Sequence, residues 1–131
     1  MSTRDGPLLM VLVAIGAGAV LGAWARWGLA YWLNERAALP LGTLAANLIG
    51  AYLVGVAVAL VALHPALSPA WRLFFITGFL GALTTFSTFS AESVAMLVSG
   101  HWALALAHSA AHLAGSLAAT AAGVATVRAF A

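Results

Sequence analysis

Charged side chains are nearly absent from this sequence. Only 6% of its 131 residues are charged and 64% are hydrophobic, whereas a soluble domain carries about a quarter charged residues. Lysine is missing altogether, and five arginines stand against three acidic residues. Such a chain cannot cover a water-facing surface. We therefore predict an integral membrane protein that is surrounded by the lipid bilayer.

Other absences exclude further classes of protein. Because the chain has no cysteine, it has neither disulfides nor thiolate metal sites. The few arginines form no basic patch, which argues against nucleic-acid binding. The sequence has no phosphate-binding loop, no carboxylate pair and no nucleophile beside a base, so we predict that the protein is not an enzyme. A membrane protein without these features is more typical of a channel or transporter.

Four long apolar runs divide the chain. Each run exceeds the ~20 residues that a helix needs to cross the bilayer, and the short connections between the runs carry helix-breaking residues. We therefore predict an all-α membrane protein with a single transmembrane domain over residues 1–131. The predicted spans cover residues 7–33, 41–63, 70–98 and 102–127.

The arginines indicate little preference for one orientation in the membrane. The first run resembles a signal peptide but continues past Arg26 to the length of a full span. Four spans place both termini on one side of the membrane. The arginines then divide three against one or two, which is only a weak bias under the positive-inside rule. One side would carry Arg4, Arg72 and Arg128, and the other side Arg36 with Arg26 near it. Insertion in both orientations, and hence an antiparallel dimer, is a hypothesis that follows.

Small residues recur at intervals of four in the first and fourth spans. They are Gly18 and Gly22, and then Ala111, Gly115, Ala119 and Gly123. In membranes such residues allow two helix backbones to approach closely. Packing within one subunit and a seam between two subunits both fit this pattern.

Three polar side chains inside the spans need partners, because lipid offers none. Asn47 either makes a helix–helix hydrogen bond or donates into an aqueous path. Arg26 either extends its charge to the interface or draws anions into a vestibule. Glu92, the only acidic residue at membrane depth, either serves proton-coupled transport or lies in a water-filled vestibule.

His108, His112 and Ser116 share one face of the fourth span, because they are spaced four residues apart. Two histidines at this spacing can bind zinc, but we expect no Cys, Asp or Glu nearby to complete a site. We therefore expect no metal at this pair. A polar stripe that lines a pore and hydrogen bonding between helices are the two remaining interpretations.

The segment GALTTFSTFS, residues 81–90, places five hydroxyl groups in the third span. One interpretation is a discontinuous helix whose unwound centre offers free backbone groups to ions. The other is an intact helix whose hydroxyls bond back to carbonyls four residues earlier. Phe86 and Phe89 share a face if the segment is helical, and the positive edges of their rings can face an anion.

Three motifs closely resemble the Fluc (CrcB-type) fluoride channels, and the resemblance covers all four spans. The motifs are GAWARW at 22–27, GTLAANLIGAYLVG at 42–55 and TGFLGALTTFSTFS at 77–90. The resemblance implies a homodimer of two antiparallel subunits, with two pores and with each third helix broken at its centre. It implies passive, fluoride-selective export through the bacterial inner membrane, which lowers fluoride toxicity.

The resemblance also implies roles for individual residues. Asn47 would donate to fluoride, and Phe86 and Phe89 would form the aromatic part of the pore. Further pore residues would be Thr43, Ser87, Thr88 and Ser116, together with His108 and His112, where relatives place tyrosine and serine. Arg26 and Glu92 would lie in the vestibule, and backbone carbonyls of Gly81 and Thr84 would hold a structural sodium ion at the dimer interface.

The two histidines are a departure from the family pattern. Histidine titrates near neutrality, so the exchange raises the hypothesis of pH-dependent fluoride flux. Flux that stays constant on both sides of neutral pH would contradict it.

The alternative from another class is a small dual-topology, proton-coupled exporter of organic cations. Such a protein needs a deep carboxylate, but Glu92 lies near the end of a span and the first span has no acidic residue. A structural membrane subunit without transport activity leaves the hydroxyl cluster unexplained.

Overall fold

The fold is known from a computed structural model, which describes residues 7–131. Arg4, which the topology hypothesis uses, lies outside the described residues. Within them the structure has four helices that are long and apolar enough to cross a membrane. They are Leu8–Arg36, Leu41–Leu63, Pro69–Val98 and Trp102–Phe130. The prediction of an all-α protein with four spans is therefore confirmed.

Three of the spans contain one long α-helix each. Helix α1 is Leu8–Leu33, α2 is Leu41–Leu63 and α6 is Trp102–Phe130. A short 3-10 helix, Asn34–Arg36, follows α1. The side chain of Asn34 accepts hydrogen bonds from the first backbone N–H groups of α2, at Gly42 (2.7 Å) and Thr43 (3.2 Å). These bonds satisfy donors that have no partner within the helix.

The third span is built from several segments. Helix α3, Pro69–Arg72, begins after Ser68, whose side chain accepts from the N–H of Trp71. The chain continues as a π-helix, Leu73–Leu80, and as the short helix α4, Gly81–Leu83. Two residues of extended backbone come next: Thr84 (φ −84°, ψ 151°) and Thr85 (φ −151°, ψ 117°). Helix α5, Phe86–Val98, completes the span.

Glycines set how closely the spans pack. α1 lies along the π-helical part of the third span, and α2 lies along α6. A Cβ atom on Gly18 would overlap the carbonyl oxygen of Phe74, and a Cβ atom on Gly123 would overlap that of Tyr52. Both contacts lie within one subunit. At these two glycines the small-residue pattern therefore serves packing inside the subunit.

The interior is as polar as it is apolar, while large hydrophobic side chains cover the outside. The buried hydrophobic residues are Ala46, Ala59, Leu80, Leu83 and Ala105. The buried polar residues are Thr43, Thr85, Ser93, His108 and His112. This arrangement suits a bundle in lipid, where polar groups must find partners inside the protein.

We expect that Gly18→Ala destabilises the fold, because the added Cβ atom meets backbone atoms of the third span, which cannot move aside like a flexible side chain. Overpacking of this kind costs about 1–3 kcal/mol. Gly16→Ala is the matched control, since no atom lies within 4 Å of its added Cβ. Thermal unfolding of both variants in detergent, followed by size-exclusion chromatography, measures the difference. Equal stability of the two variants would contradict the packing.

Candidate functional site

The amide of Asn47 on α2 binds the peptide of Thr85, where the third span is extended. Asn47 Oδ1 accepts from the N–H of Thr85 at 2.7 Å, and Asn47 Nδ2 donates to the carbonyl oxygen of the same residue at 3.0 Å. One side chain thus satisfies both backbone polar groups of Thr85, the N–H and the carbonyl, neither of which is bonded within a helix here. This matters in lipid, where an unpaired backbone group costs several kcal/mol.

Asn47 also contacts His112 on α6. Its Nδ2 atom lies 3.0 Å from His112 Nδ1. Because an amide nitrogen only donates, His112 Nδ1 must accept, and the proton of the neutral ring then sits on Nε2. Both N–H bonds of Asn47 are directed to protein acceptors. Any further acceptor that binds Asn47 therefore has to replace His112 or Thr85.

The hydroxyl of Thr85 is the centre of a second set of bonds. It accepts from the backbone N–H of Thr88 at 3.1 Å and so caps α5. The Thr85 hydroxyl donates to Thr88 Oγ1 at 3.1 Å, and Ser87 Oγ lies 3.2 Å away. Thr85 was not among the predicted site residues. Its position three residues before Thr88, at the start of a helix, is the capping signal that identifies it.

Glu92 joins three helices. Its Oε1 atom accepts a hydrogen bond of 2.6 Å from the hydroxyl of Thr43 on α2. Its Oε2 atom lies 3.3 Å from Nε2 of His108 on α6, and the His108 side chain is fully buried. The expectation that no acidic residue lies near the histidine pair is therefore wrong. α5 and α6 form a hairpin around Gly100, and Glu92 and His108 are each eight residues from this glycine. Counting outward from the turn would have found the contact.

Aromatic rings stack beside this cluster. The ring of Phe89 lies on that of His112, with 4.5 Å between centroids, and meets Phe86 edge to face at 5.4 Å. His108 and His112 also meet edge to face at 4.5 Å. Phe86 is 78% exposed on the surface of the subunit. The two predicted phenylalanines and the two histidines thus form one contiguous group.

Two grooves lie on either side of Thr85. The aromatic groove has a volume of about 340 Å³ and the arginine groove about 260 Å³. Residues that line the aromatic groove include Asn47, Thr84, Phe86, Phe89, His112 and Ser116. Residues that line the arginine groove include Arg26, Trp27, Asn34, Thr43 and Thr88. Thr85 lines both grooves, so it lies in the wall between them.

The predicted sodium ligands lie at the start of the extended backbone. In a continuous α-helix the carbonyl of Gly81 would accept from the N–H of Thr85, and that of Thr84 from the N–H of Thr88. Here the N–H of Thr85 donates to Asn47 and the N–H of Thr88 donates to the Thr85 hydroxyl. Both carbonyls therefore lose the donors that a continuous helix would supply.

The structure brings most of the predicted residues together, but in two groups. Asn47, Phe86, Phe89, His112 and Ser116 meet at the aromatic groove, and Arg26, Thr43 and Thr88 at the arginine groove. His108 and Glu92 are not among the residues that line either groove. Thr84 lines the aromatic groove, and its hydroxyl bonds back to the carbonyl of Leu80 at 2.9 Å.

Comparison with known proteins shows a family. The chain matches the CrcB-like proteins, described as camphor resistance (CrcB), over residues 13–124. It is 64% identical over 116 residues to a fluoride-specific ion channel FluC of Chromohalobacter salexigens, covering 88% of each chain. It is 56% identical over 124 residues to a protein of the same name from Cupriavidus pinatubonensis, covering 94% of this chain and 97% of the relative.

Four helices that are long and apolar enough to span a membrane fit a chain whose relatives are named ion channels. The chain is therefore a multi-pass protein of the bacterial inner membrane. The family expected from the three motifs is confirmed, and the chain belongs to the CrcB-like family.

Proposed function

We propose that the protein is a fluoride-selective passive channel, not an enzyme, that exports fluoride from the cytoplasm and lowers its toxicity. The relatives are named fluoride-specific ion channels. The structural observation that carries the proposal is the row of polar side chains between the two grooves. Thr85 lies at its centre, in contact with Asn47, Ser87 and Thr88. Polar side chains inside a membrane-spanning bundle are uncommon and mark the pathways of ions and substrates.

Hydrogen-bond donors in this row match the chemistry of fluoride. Fluoride is a small anion that accepts strong hydrogen bonds and is tightly hydrated, so a path must replace its water with donors. Hydroxyl groups of Thr88 and Ser87, the His112 ring nitrogen and the Asn47 amide can supply them. The ring edges of Phe86 and Phe89 add partial positive charge without a fixed cation. Arg26 lines the arginine groove and attracts anions to it.

The working unit in this proposal is a homodimer of two antiparallel subunits with two pores. The aromatic groove is open along the subunit surface, where Phe86 is exposed. A second subunit that covers the groove would convert it into an enclosed path. The small number of arginines leaves the chain with little preference for one orientation, which supports dual topology.

The break in the third span belongs to the proposal as the source of a cation site. The carbonyls of Gly81 and Thr84 lack their regular helical donors, so their oxygens fit a hard cation. We propose that they hold a structural sodium ion at the dimer interface. Bound there, sodium would supply positive charge that holds the two broken helices together. Asn47 would keep the Gly81 carbonyl free by retaining the N–H of Thr85, and the Thr85 hydroxyl would keep the Thr84 carbonyl free by retaining the N–H of Thr88.

The position of Glu92 argues against the proton-coupled exporter. One of its oxygen atoms accepts from Thr43 and the other lies beside His108. Glu92 lines neither groove, so it does not face a space that could admit an organic cation. An exporter of this class needs a carboxylate that protons and substrate reach in turn.

We expect liposomes containing the purified protein to release fluoride far faster than chloride. The polar row offers many hydrogen-bond donors, and none of its side chains carries a positive charge. An electrode selective for each ion measures the release. Protein-free liposomes give the background. Fluoride release no faster than chloride release, from protein shown to be folded and dimeric, would overturn the channel proposal.

We expect Phe86→Ile and Phe89→Ile to lower fluoride flux at least tenfold while leaving the dimer intact. Isoleucine keeps the apolar contact but removes the ring edge that faces the anion. Phe130→Ile is the control, because this residue is exposed at the end of α6. Flux from liposomes and the elution volume of the dimer are the two measurements. Normal flux in both pore variants would exclude the ring-edge role.

We expect Asn47→Asp to lower fluoride flux more than tenfold and to stabilise the broken span less well. The carboxylate can still accept from the N–H of Thr85, but it cannot donate to the Thr85 carbonyl or to fluoride. Asn47→Ala removes both bonds and leaves two backbone groups unpaired, at about 1–3 kcal/mol each. Thermal unfolding should therefore rank the wild type above Asn47→Asp and Asn47→Ala lowest. Unchanged flux in Asn47→Asp would refute a donor role for this amide.

A further inference from the structure

Four buried polar atoms without hydrogen-bond partners lie in one place. Among the described residues, Glu92 Oε2, both ring nitrogens of His108 and His112 Nε2 are buried and unpaired. Among residues 7–131, the only other buried side-chain atom without a hydrogen-bond partner is Arg72 Nε. An unsatisfied buried polar group costs about 1–3 kcal/mol. Glu92 Oε2 and His108 Nε2 lie 3.3 Å apart and can pair with each other, but His108 Nδ1 and His112 Nε2 have no such contact, so the cluster as a whole calls for a further partner.

The three residues have the spacing of metal ligands. Each offers one ligand atom, and these atoms all lie within 4.8 Å of one another. The closest measured pair, Glu92 Oε2 and His108 Nε2, is 3.3 Å apart. Around a tetrahedral ion with bonds of about 2.0–2.1 Å, ligand atoms lie about 3.3–3.4 Å apart. This pair already has that separation, and the third ligand needs a shift within the bundle.

Neighbouring side chains orient the carboxylate. The hydroxyl of Thr43 donates to Glu92 Oε1 at 2.6 Å, which leaves Oε2 directed to the histidines. Hydrogen bonds from residues that surround the metal ligands hold these ligands in position and tune the affinity for the metal. His108 and His112 are one turn apart on α6, so their rings converge on the same side. The cluster therefore combines two imidazoles with one carboxylate that is already held.

We propose that Glu92, His108 and His112 form a binding site for a divalent first-row transition metal ion, with zinc as the probe. Imidazole and carboxylate ligands suit zinc and its neighbours, whereas calcium and magnesium prefer oxygen ligands alone. Three protein ligands leave one position of a tetrahedral ion open, as at zinc sites that keep a water molecule.

Metal binding competes with the bond between Asn47 and His112. If the ion binds His112 Nδ1, it takes the lone pair that accepts from Asn47. If the ion binds Nε2, the ring proton moves to Nδ1 and faces the N–H of Asn47. Either mode breaks the bond and places a divalent ion, only half neutralised by the Glu92 carboxylate, next to the polar row. The next step alone rests on the proposed function. In a fluoride channel the bound metal ion retains fluoride and thereby inhibits its flux.

Binding is tested on the full-length protein after removal of any purification tag and of metal by a chelator. Isothermal titration with zinc gives stoichiometry and affinity, and cobalt absorption in the visible range reports tetrahedral coordination. We expect one ion per subunit. Glu92→Gln and His108→Ala should each weaken zinc binding at least tenfold, since even residues behind the ligands change affinity 10–100-fold.

His101→Ala is the matched control, because this histidine is exposed just before α6. It should bind zinc like the wild type. Size-exclusion chromatography checks that each variant is folded, and Glu92→Gln provides a variant of nearly unchanged shape. No zinc binding by the wild type, or equal binding by the wild type and both folded ligand variants, would overturn the site.

Flux measurements separate the site from the proposed function. In liposomes, zinc at concentrations far below that of fluoride should slow fluoride release from the wild type and from His101→Ala equally. Magnesium should have no effect. Zinc binding with the expected variant pattern supports the site even if the liposomes release no fluoride. Zinc binding without inhibition in an active channel would exclude the coupling to Asn47.

Discussion

The pairing of the Asn47 amide with the Thr85 peptide is the interaction on which the interior depends. A residue with extended backbone in the middle of a membrane span has an N–H and a carbonyl that neither water nor the helix can satisfy. One side chain on α2 satisfies both, at 2.7 and 3.0 Å. α2 and the third span are thereby joined at the two residues of extended backbone that precede α5.

This pairing redistributes hydrogen bonds over the whole neighbourhood. Because the N–H of Thr85 turns to Asn47, the Gly81 carbonyl loses its helical donor. The Thr85 hydroxyl replaces a carbonyl as the acceptor for Thr88 and so draws the hydroxyl groups of α5 together. The second N–H of Asn47 selects the tautomer of His112. The interrupted turn thus adjoins both grooves and leaves the Gly81 carbonyl without its regular donor.

Close packing makes such a polar interior possible in a thin bundle. Gly18 and Gly123 let backbones approach until no Cβ atom fits between them, which leaves large hydrophobic residues free to face lipid. The interior is then filled mainly by small and polar side chains, with Leu80 and Leu83 as the large buried apolar residues. Phe86 lies largely on the surface of the subunit, and Gly81 and Ser87 are exposed as well.

Composition and local pattern determined the membrane location, the four spans and the family, because these depend on hydrophobicity along the chain and on contiguous motifs. Only the tertiary structure decided which polar groups meet. Asn47 and His112 are 65 residues apart, and Thr43 and Glu92 are 49 apart. Such pairs depend on how helices pack, and hydropathy carries no record of that. In the hydroxyl-rich segment the Thr84 hydroxyl bonds back to the carbonyl of Leu80, while the N–H of Thr85 donates to Asn47. Which residue did which was settled by Asn47, a partner outside the segment.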